Sequence, residues 1–339
     1  MTNKRVVVIG GGPAGHDAAT YAARFGADVT LIERDIVGGS AHLRDCVPSK
    51  SMIATGAALS FAQRLDGMGL ANVETEVDAD HLRARIQGIE KRLEQSVTQL
   101  LMSQGVVIHR GTGRLLGHHE VCADTADGPV ELTADAIVLA TGSRPRIPEW
   151  ASIDNERILT TRDAYPPDEI PGHLVVVGSG VTGVEFVHMF TSLGSKVTLI
   201  VSRQQVLPQK DPEAAALLEQ NFLDRGVQLL KGARATEITR SGKSVEVFCS
   251  DGRTAKGTHA LLAIGSEPNS QELGLANTEV VVDESGYIEV DHNLRSSVPN
   301  IYAAGDLSGK LPLSSVASMQ GRKIAEHIMG LHEGREHRH

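Results

Sequence analysis

The sequence predicts an α/β protein made of two three-layer modules. Three observations carry that expectation. A short apolar run followed by spaced glycines opens the chain, and the same pattern returns 168 residues later. Between and after these stretches, apolar segments of strand length alternate with segments of helical periodicity.

The first module begins "RVVVIGGGPAGHDAATYAARFGADVTLIERD". Val6–Ile9 reads as a buried strand. Gly10, Gly12 and Gly15 follow in a G-x-G-x-x-G spacing, with Pro13 and Ala14 between them. An Ala-rich helix comes next, and a second strand ends at Glu33 and Arg34. A strand before, a helix after and an acid about 20 residues on are the context that makes this fingerprint Rossmann-like. The glycines allow a tight turn and close approach of a pyrophosphate, and the helix N-terminus offers free N–H donors. Glu33 is placed to accept hydrogen bonds from a ribose.

In "HLVVVGSGVTGVEFVHMFTSLGSKVTLIVSR", Gly178, Gly180 and Gly183 repeat the first three glycines at a constant offset, with Val181 and Thr182 between them. The strand-ending segments "ADAIVLATGSRPRIP" and "THALLAIGSEPN" also repeat, and carry Thr141, Gly142 and Gly265. Two such units mean two dinucleotides. The offset carries Glu33 onto Val201, which would not repel a 2′-phosphate, and Ser202 and Arg203 follow as donors. This predicts NADPH at the second module, with NADH tolerated.

A helix is expected over 80–104, with Leu82, Ile86, Ile89, Leu93, Val97 and Leu100 on one apolar face. Residues 227–262 alternate as strands, and "SVPNIYAAGDLSG" reads as a short strand ending at Gly305 and Asp306. A last helix is expected from about Ser314 to Gly330.

A net charge of −9 argues against a nucleic-acid or anionic-membrane surface. Three dispersed cysteines make no disulfide framework and suit a reducing, cytoplasmic setting. No stretch approaches a membrane span. Cys122 and Cys249 lie on strand-like alternation and read as small buried hydrophobes. "GHHE" at 117–120 is a turn, and no ligand spacing for a metal is present.

One stretch stands apart: "GGSAHLRDCVPSKSM", Gly38 to Met52. Gly39 and Ser40 precede a lone Cys46, and Val-Pro-Ser-Lys then opens a helix. A thiol at a helix N-terminus is favoured as thiolate. Ala41, where a partner sulfur would be expected, is inert.

Both fingerprints, "ATG" at 140–142, "NIYAAGD" at 300–306 and "GGSAHLRDCVPSK" occur in one order. With them the chain resembles the pyridine nucleotide–disulfide oxidoreductases of the dihydrolipoamide dehydrogenase branch. Within that branch it is similar to actinobacterial flavoprotein disulfide reductases, or NAD(P)H–quinone dehydrogenases, that lack the first cysteine. The resemblance implies FAD on the first module and NAD(P)H on the second, which is inserted in the first: 1–148 with 270–330 bind FAD, 149–269 bind NAD(P)H and 331–339 are a tail. It gives the pyrophosphate to Gly10, Gly12 and Gly15, the adenosine ribose to Glu33, and the ribityl chain to Asp306. It makes Thr141 and Gly142 a turn near the FAD, Lys50 the cation beside flavin N5, and Glu185 the carboxylate partner of Lys50.

Two departures qualify the resemblance. Ala41 removes the redox disulfide, and the sequence stops before the dimerisation domain with its His–Glu pair. His337 and His339 read as a solvated tail, and the oligomer is expected to be weakened or absent. Three readings of activity stand: an FAD-dependent NAD(P)H dehydrogenase with a quinone-like acceptor, a peroxide or oxygen reductase cycling Cys46 through sulfenic acid, and a catalytically idle FAD-binding core.

Overall fold

The computed structural model describes residues 3–65, 68–69 and 74–331; His337 and His339 lie outside the described residues. The chain divides into two compact units, 1–44 with 89–144 and 267–339, and 45–88 with 145–266. Helices α1 (Pro13–Arg24), α2 (Val47–Ala62), α3 (Ala79–Ser103), α4 (Val181–Ser192), α5 (Pro212–Asp224) and α6 (Ser314–Ile328) follow in chain order.

The first unit is built on a seven-stranded sheet in the order Ile301–Ala303, Ala136–Leu139, Arg5–Ile9, Asp28–Glu33, Val107–Leu115, Glu120–Thr125, Gly128–Thr133. The first five are parallel and the last two fold back antiparallel. The run Val6–Ile9 is apolar throughout because both faces of its strand are covered. Val6 and Val8 meet α1 and α6, whereas Val7 and Ile9 meet the layer that contains Leu115, Leu273 and Ile288. At the contact between α1 and α6, a Cβ on Gly321 would stand 2.1 Å from the Ala14 carbonyl oxygen. Only glycine permits that approach.

The second unit carries a parallel sheet in the order Gln228–Lys231, Lys196–Val201, His173–Val177, His259–Leu262, Ile158–Thr160. One face packs Phe186, Phe190 and Phe222 against Leu174, Val176 and Leu199. The other is covered by an antiparallel sheet of Ala235–Ser241, Ser244–Cys249 and Thr254–Gly257. Residues 45–88 pack in this unit although they fall within the first of the sequence-drawn domains. The reason lies in α2, which seats Met52 in the core and brings Gly56 so near α4 that a Cβ would be 2.7 Å from that of Ser192.

The helix expected over 80–104 is α3, but its apolar face differs at the C-terminal end. Leu82 and Ile86 are buried in the second unit's core and Leu101 in the first's, while Leu100 is 44% exposed. The helix serves two cores, so one straight stripe does not describe it.

Candidate active site

In the first unit, α1 starts at Gly12 with no side-chain cap, leaving its first N–H groups to a ligand. Gly10 has φ +101°, and a Cβ there would meet the Ala140 carbonyl oxygen at 2.3 Å. A Cβ on Gly39 would stand 2.5 Å from the Gly12 Cα, so the two glycines let the chain fold closely over the start of α1. Glu33 is 9% exposed and accepts from the backbone N–H groups of Gly11 (2.6 Å) and Asp35 (2.7 Å). Burial raises its pKa, and those two donors oppose the rise. Each carboxylate oxygen keeps acceptor capacity for a ribose hydroxyl.

Thr141 and Gly142 form a turn held by Asn269. The Thr141 hydroxyl donates to the Asn269 carbonyl at 2.9 Å, and the Asn269 side chain donates to the Thr141 carbonyl at the same distance. Asp306 opens a 3₁₀ turn, Gly305–Ser308, and accepts from the Ser143 hydroxyl at 2.6 Å. Gly305 N–H donates to Gln320, which is 5% exposed. Arg34 is paired with Glu272 at 2.9 Å on the surface. The glycine cradle that any Cβ would fill, the uncapped helix start and the buried carboxylate suit an adenine dinucleotide's pyrophosphate and ribose.

The loop with the lone cysteine is not as the sequence suggests. Ala41–Cys46 forms one turn of π-helix that runs into α2. Cys46 is half-buried, has helical backbone angles and ends a helical turn, so it does not stand at a free helix N-terminus. The dipole argument for a thiolate loses its basis, because a turn of aligned peptides precedes the sulfur. The π turn places Ala41 and Cys46 one turn apart, as its i→i+5 hydrogen-bond pattern requires. It is anchored by Arg44, whose guanidinium lies 2.7 Å from each Asp35 carboxylate oxygen and 3.0 Å from Glu90. Ser40 also donates to Asp35, at 2.8 Å. Arg44 lies within the quoted stretch, but no role was expected there for it, Asp35 or Glu90.

Lys50 and Glu185 come together: Nζ to Oε1 is 3.3 Å, with side-chain exposures of 62% and 37%. Nearby, Arg162 reaches Asp45 at 3.3 Å, and the Tyr165 ring stacks on Phe186 at 4.7 Å. Burial, reinforced by the negative charges of Asp45 and Glu185, pushes the Tyr165 phenol well above its usual range and keeps it protonated.

The second fingerprint repeats the first closely. Gly178 has φ +110°, and a Cβ on Gly183 would lie 1.9 Å from the Gly178 carbonyl oxygen, against 1.8 Å for Gly15 and Gly10. Gly180 caps α4 with no side-chain acceptor, and Gly180, Val181 and Thr182 are exposed. Val201 ends its strand fully buried, while Ser202, Arg203 and Gly265 are exposed. Cys122 and Cys249 are buried and free, and burial raises both thiol pKa values. Among the described residues no group of His, Cys, Asp or Glu could hold a metal ion. No described helix is long and apolar enough to cross a membrane.

Residues 4–321 match the family described as pyridine nucleotide-disulphide oxidoreductase. The chain is 43% identical over 338 residues to an NAD(P)H dehydrogenase (quinone) of Mycobacterium tuberculosis, covering 96% of this chain and 69% of that protein. It is 34% identical over 327 residues to a dihydrolipoyl dehydrogenase of Chlamydia pneumoniae, covering 96% and 70%. Among solved structures, LpdA from Mycobacterium tuberculosis matches with a TM-score of 0.91 at 43% identity, covering 96% of this chain and 72% of that one. The chain therefore belongs to the pyridine nucleotide-disulphide oxidoreductase family, as an FAD-dependent oxidoreductase of NAD(P)H.

Proposed function

We propose that this oxidoreductase is an NAD(P)H dehydrogenase that passes electrons to a quinone-like acceptor and performs no dithiol–disulfide exchange. The observation that carries this reading is the π turn: Cys46 ends it, and the residue one turn earlier is Ala41, which has no sulfur. Bound FAD supplies a two-electron centre between NAD(P)H and the oxidising substrate. Gly10, Gly12, Pro13, Ala14 and Gly15 at the start of α1 hold its pyrophosphate, Glu33 its adenosine ribose and Asp306 its ribityl chain. Gly178, Gly180 and Gly183 hold the nicotinamide dinucleotide. Lys50, steadied by Glu185, is the cation that tunes the flavin and orients the transfer. Cys46 tunes the same centre without changing oxidation state. Val201 and Arg203 favour NADPH, with NADH accepted.

The similarity to an NAD(P)H dehydrogenase (quinone) supports the acceptor class. Three dispersed cysteines with no disulfide between them support a cytoplasmic setting. Anaerobic NADPH added to the purified holoprotein, followed by a benzoquinone or naphthoquinone, tests the reading. Bleaching of the flavin band and its recovery on adding quinone are expected, with lipoamide inert. Rapid lipoamide turnover, or peroxide-dependent turnover lost in Cys46→Ser, would show the reading to be wrong.

A further inference from the structure

We propose that Arg234 joins Arg203 as a two-arginine clamp for the 2′-phosphate of NADPH. The proposal rests on the reading of the second unit as the NADPH module, and it adds a residue that lies in no fingerprint.

The strands Lys196–Val201 and Gln228–Lys231 are parallel neighbours in register, with Val201 opposite Lys231. Both end at the carboxyl edge of their sheet, where open α/β sheets bind ligands. Past that edge the two chains stay side by side. Gly232 N–H donates to the Arg203 carbonyl at 3.0 Å, and Ala233 N–H donates to the Val201 carbonyl at 3.1 Å. Arg203 and Arg234 thus leave adjacent backbone segments, and the Arg234 carbonyl is held by the Ser250 N–H at 2.9 Å. Both side chains are exposed, and neither has a hydrogen bond or ion pair among the described residues.

Their neighbours differ in this respect. Lys231 binds Glu219 at 2.7 Å, and the other Glu219 oxygen accepts from Val206 N–H at 2.9 Å. Arg253 is engaged by Asp251 and by the Lys231 carbonyl. The charge left over at this edge is that of two guanidinium groups. A phosphate monoester carries nearly two negative charges at neutral pH, and guanidinium groups match its oxygens in geometry as well as charge. Val201 contributes no carboxylate to oppose it.

Steady-state kinetics of the holoprotein with NADPH and with NADH test this, on the native chain, Arg203→Ala, Arg234→Ala, Arg234→Lys and the double alanine variant. Arg234→Ala should raise KM for NADPH about tenfold, as loss of a charge-assisted contact does. It should leave kcat and KM for NADH within about twofold, and Arg234→Lys should retain part of the discrimination. Inhibition by 2′,5′-ADP should weaken in parallel. The double variant should lose less than the product of the singles, because both groups meet one phosphate. If Arg203→Ala discriminates and Arg234→Ala does not, the clamp is wrong and the NADPH reading stands. If neither variant discriminates, the NADPH reading itself fails.

Discussion

Placing a second sulfur at position 41 tests the redox loop most directly. In an α-helix, residues five apart are rotated by about 140° around the axis and cannot be bridged. In the π turn Ala41–Cys46, residue 46 returns over residue 41, within reach of the 4.4–6.8 Å Cα separation that disulfides usually need. Ala41→Cys should therefore form a disulfide with Cys46 under mild oxidation. Closing so short a loop contributes only about 2 kcal/mol of stability by loop entropy, so thermal melts are a weak assay. Thiol and electron counts are stronger. The native chain has three cysteines, none in a disulfide; the oxidised variant should show two free thiols under denaturing conditions although it carries four cysteines. Anaerobic dithionite titration should take two electrons per chain in the native holoprotein and four in the variant. Four free thiols with two-electron reduction would mean that the turn does not present the two positions to each other. Four-electron reduction of the native chain would give Cys46 a partner in Cys122 or Cys249, against their burial on other elements.

Lys50→Met should lower NADPH–quinone turnover by about 10²-fold, the usual consequence of losing a positioned charge at a reacting centre. Because the Lys50–Glu185 pair is largely exposed, the melting temperature should barely move; a large fall in stability with full turnover would contradict its role. Gly321→Ala forces a Cβ against the Ala14 carbonyl and should destabilise the first unit by roughly 1–3 kcal/mol, and an unchanged melting curve would contradict that packing. Asp154 accepts from the N–H groups of Glu156, Arg157 and Ile158 at 2.7–2.9 Å and from Arg240 at 2.8 Å. Partial burial acts to raise its pKa, but those donors outweigh burial and hold it far below the usual carboxylate range. Its contribution is thus fully present above the unfolded value of about 3.9 and lost as pH falls toward the folded one. Asp154→Ala should cost roughly 2 kcal/mol at pH 7, and urea melts at pH 7, 5 and 3 should show the gap to the native chain closing only at the lowest pH.

The duplicated core was legible in the sequence because its rules are local. Arg5–Ile9, Pro13–Arg24 and Asp28–Glu33 recur as His173–Val177, Val181–Ser192 and Lys196–Val201 with no change of length. Glycine spacing and strand patterning act within about thirty residues, so a reader sees them without the fold. The partners of the motif residues were not legible. Ser143 meets Asp306 across 163 positions, and Asn269 meets Thr141 across 128. The π turn was missed for a related reason. It depends on Arg44 finding Asp35 and Glu90, and no periodicity announces an ion pair across 46 residues. Leu100 and Leu101 exchanged roles because α3 serves two cores.

The close seat of α6 on α1 has a consequence for biosynthesis. A ribosome delivers the whole of the inserted unit's parallel sheet by residue 262, while Ala136–Leu139 still awaits Ile301–Ala303 and α1 still awaits α6, which is complete only at Ile328. At typical elongation rates of 5–20 residues per second that interval lasts roughly 3–13 s. Until Ile301–Ala303 is made the nascent first unit carries an unpaired apolar edge strand, and until α6 is complete the alanine-rich face of α1 around Ala14 and Ala18 stays uncovered. The inserted unit can therefore mature first, and the nascent chain is most exposed to mispairing while the outer strands wait for their last neighbours.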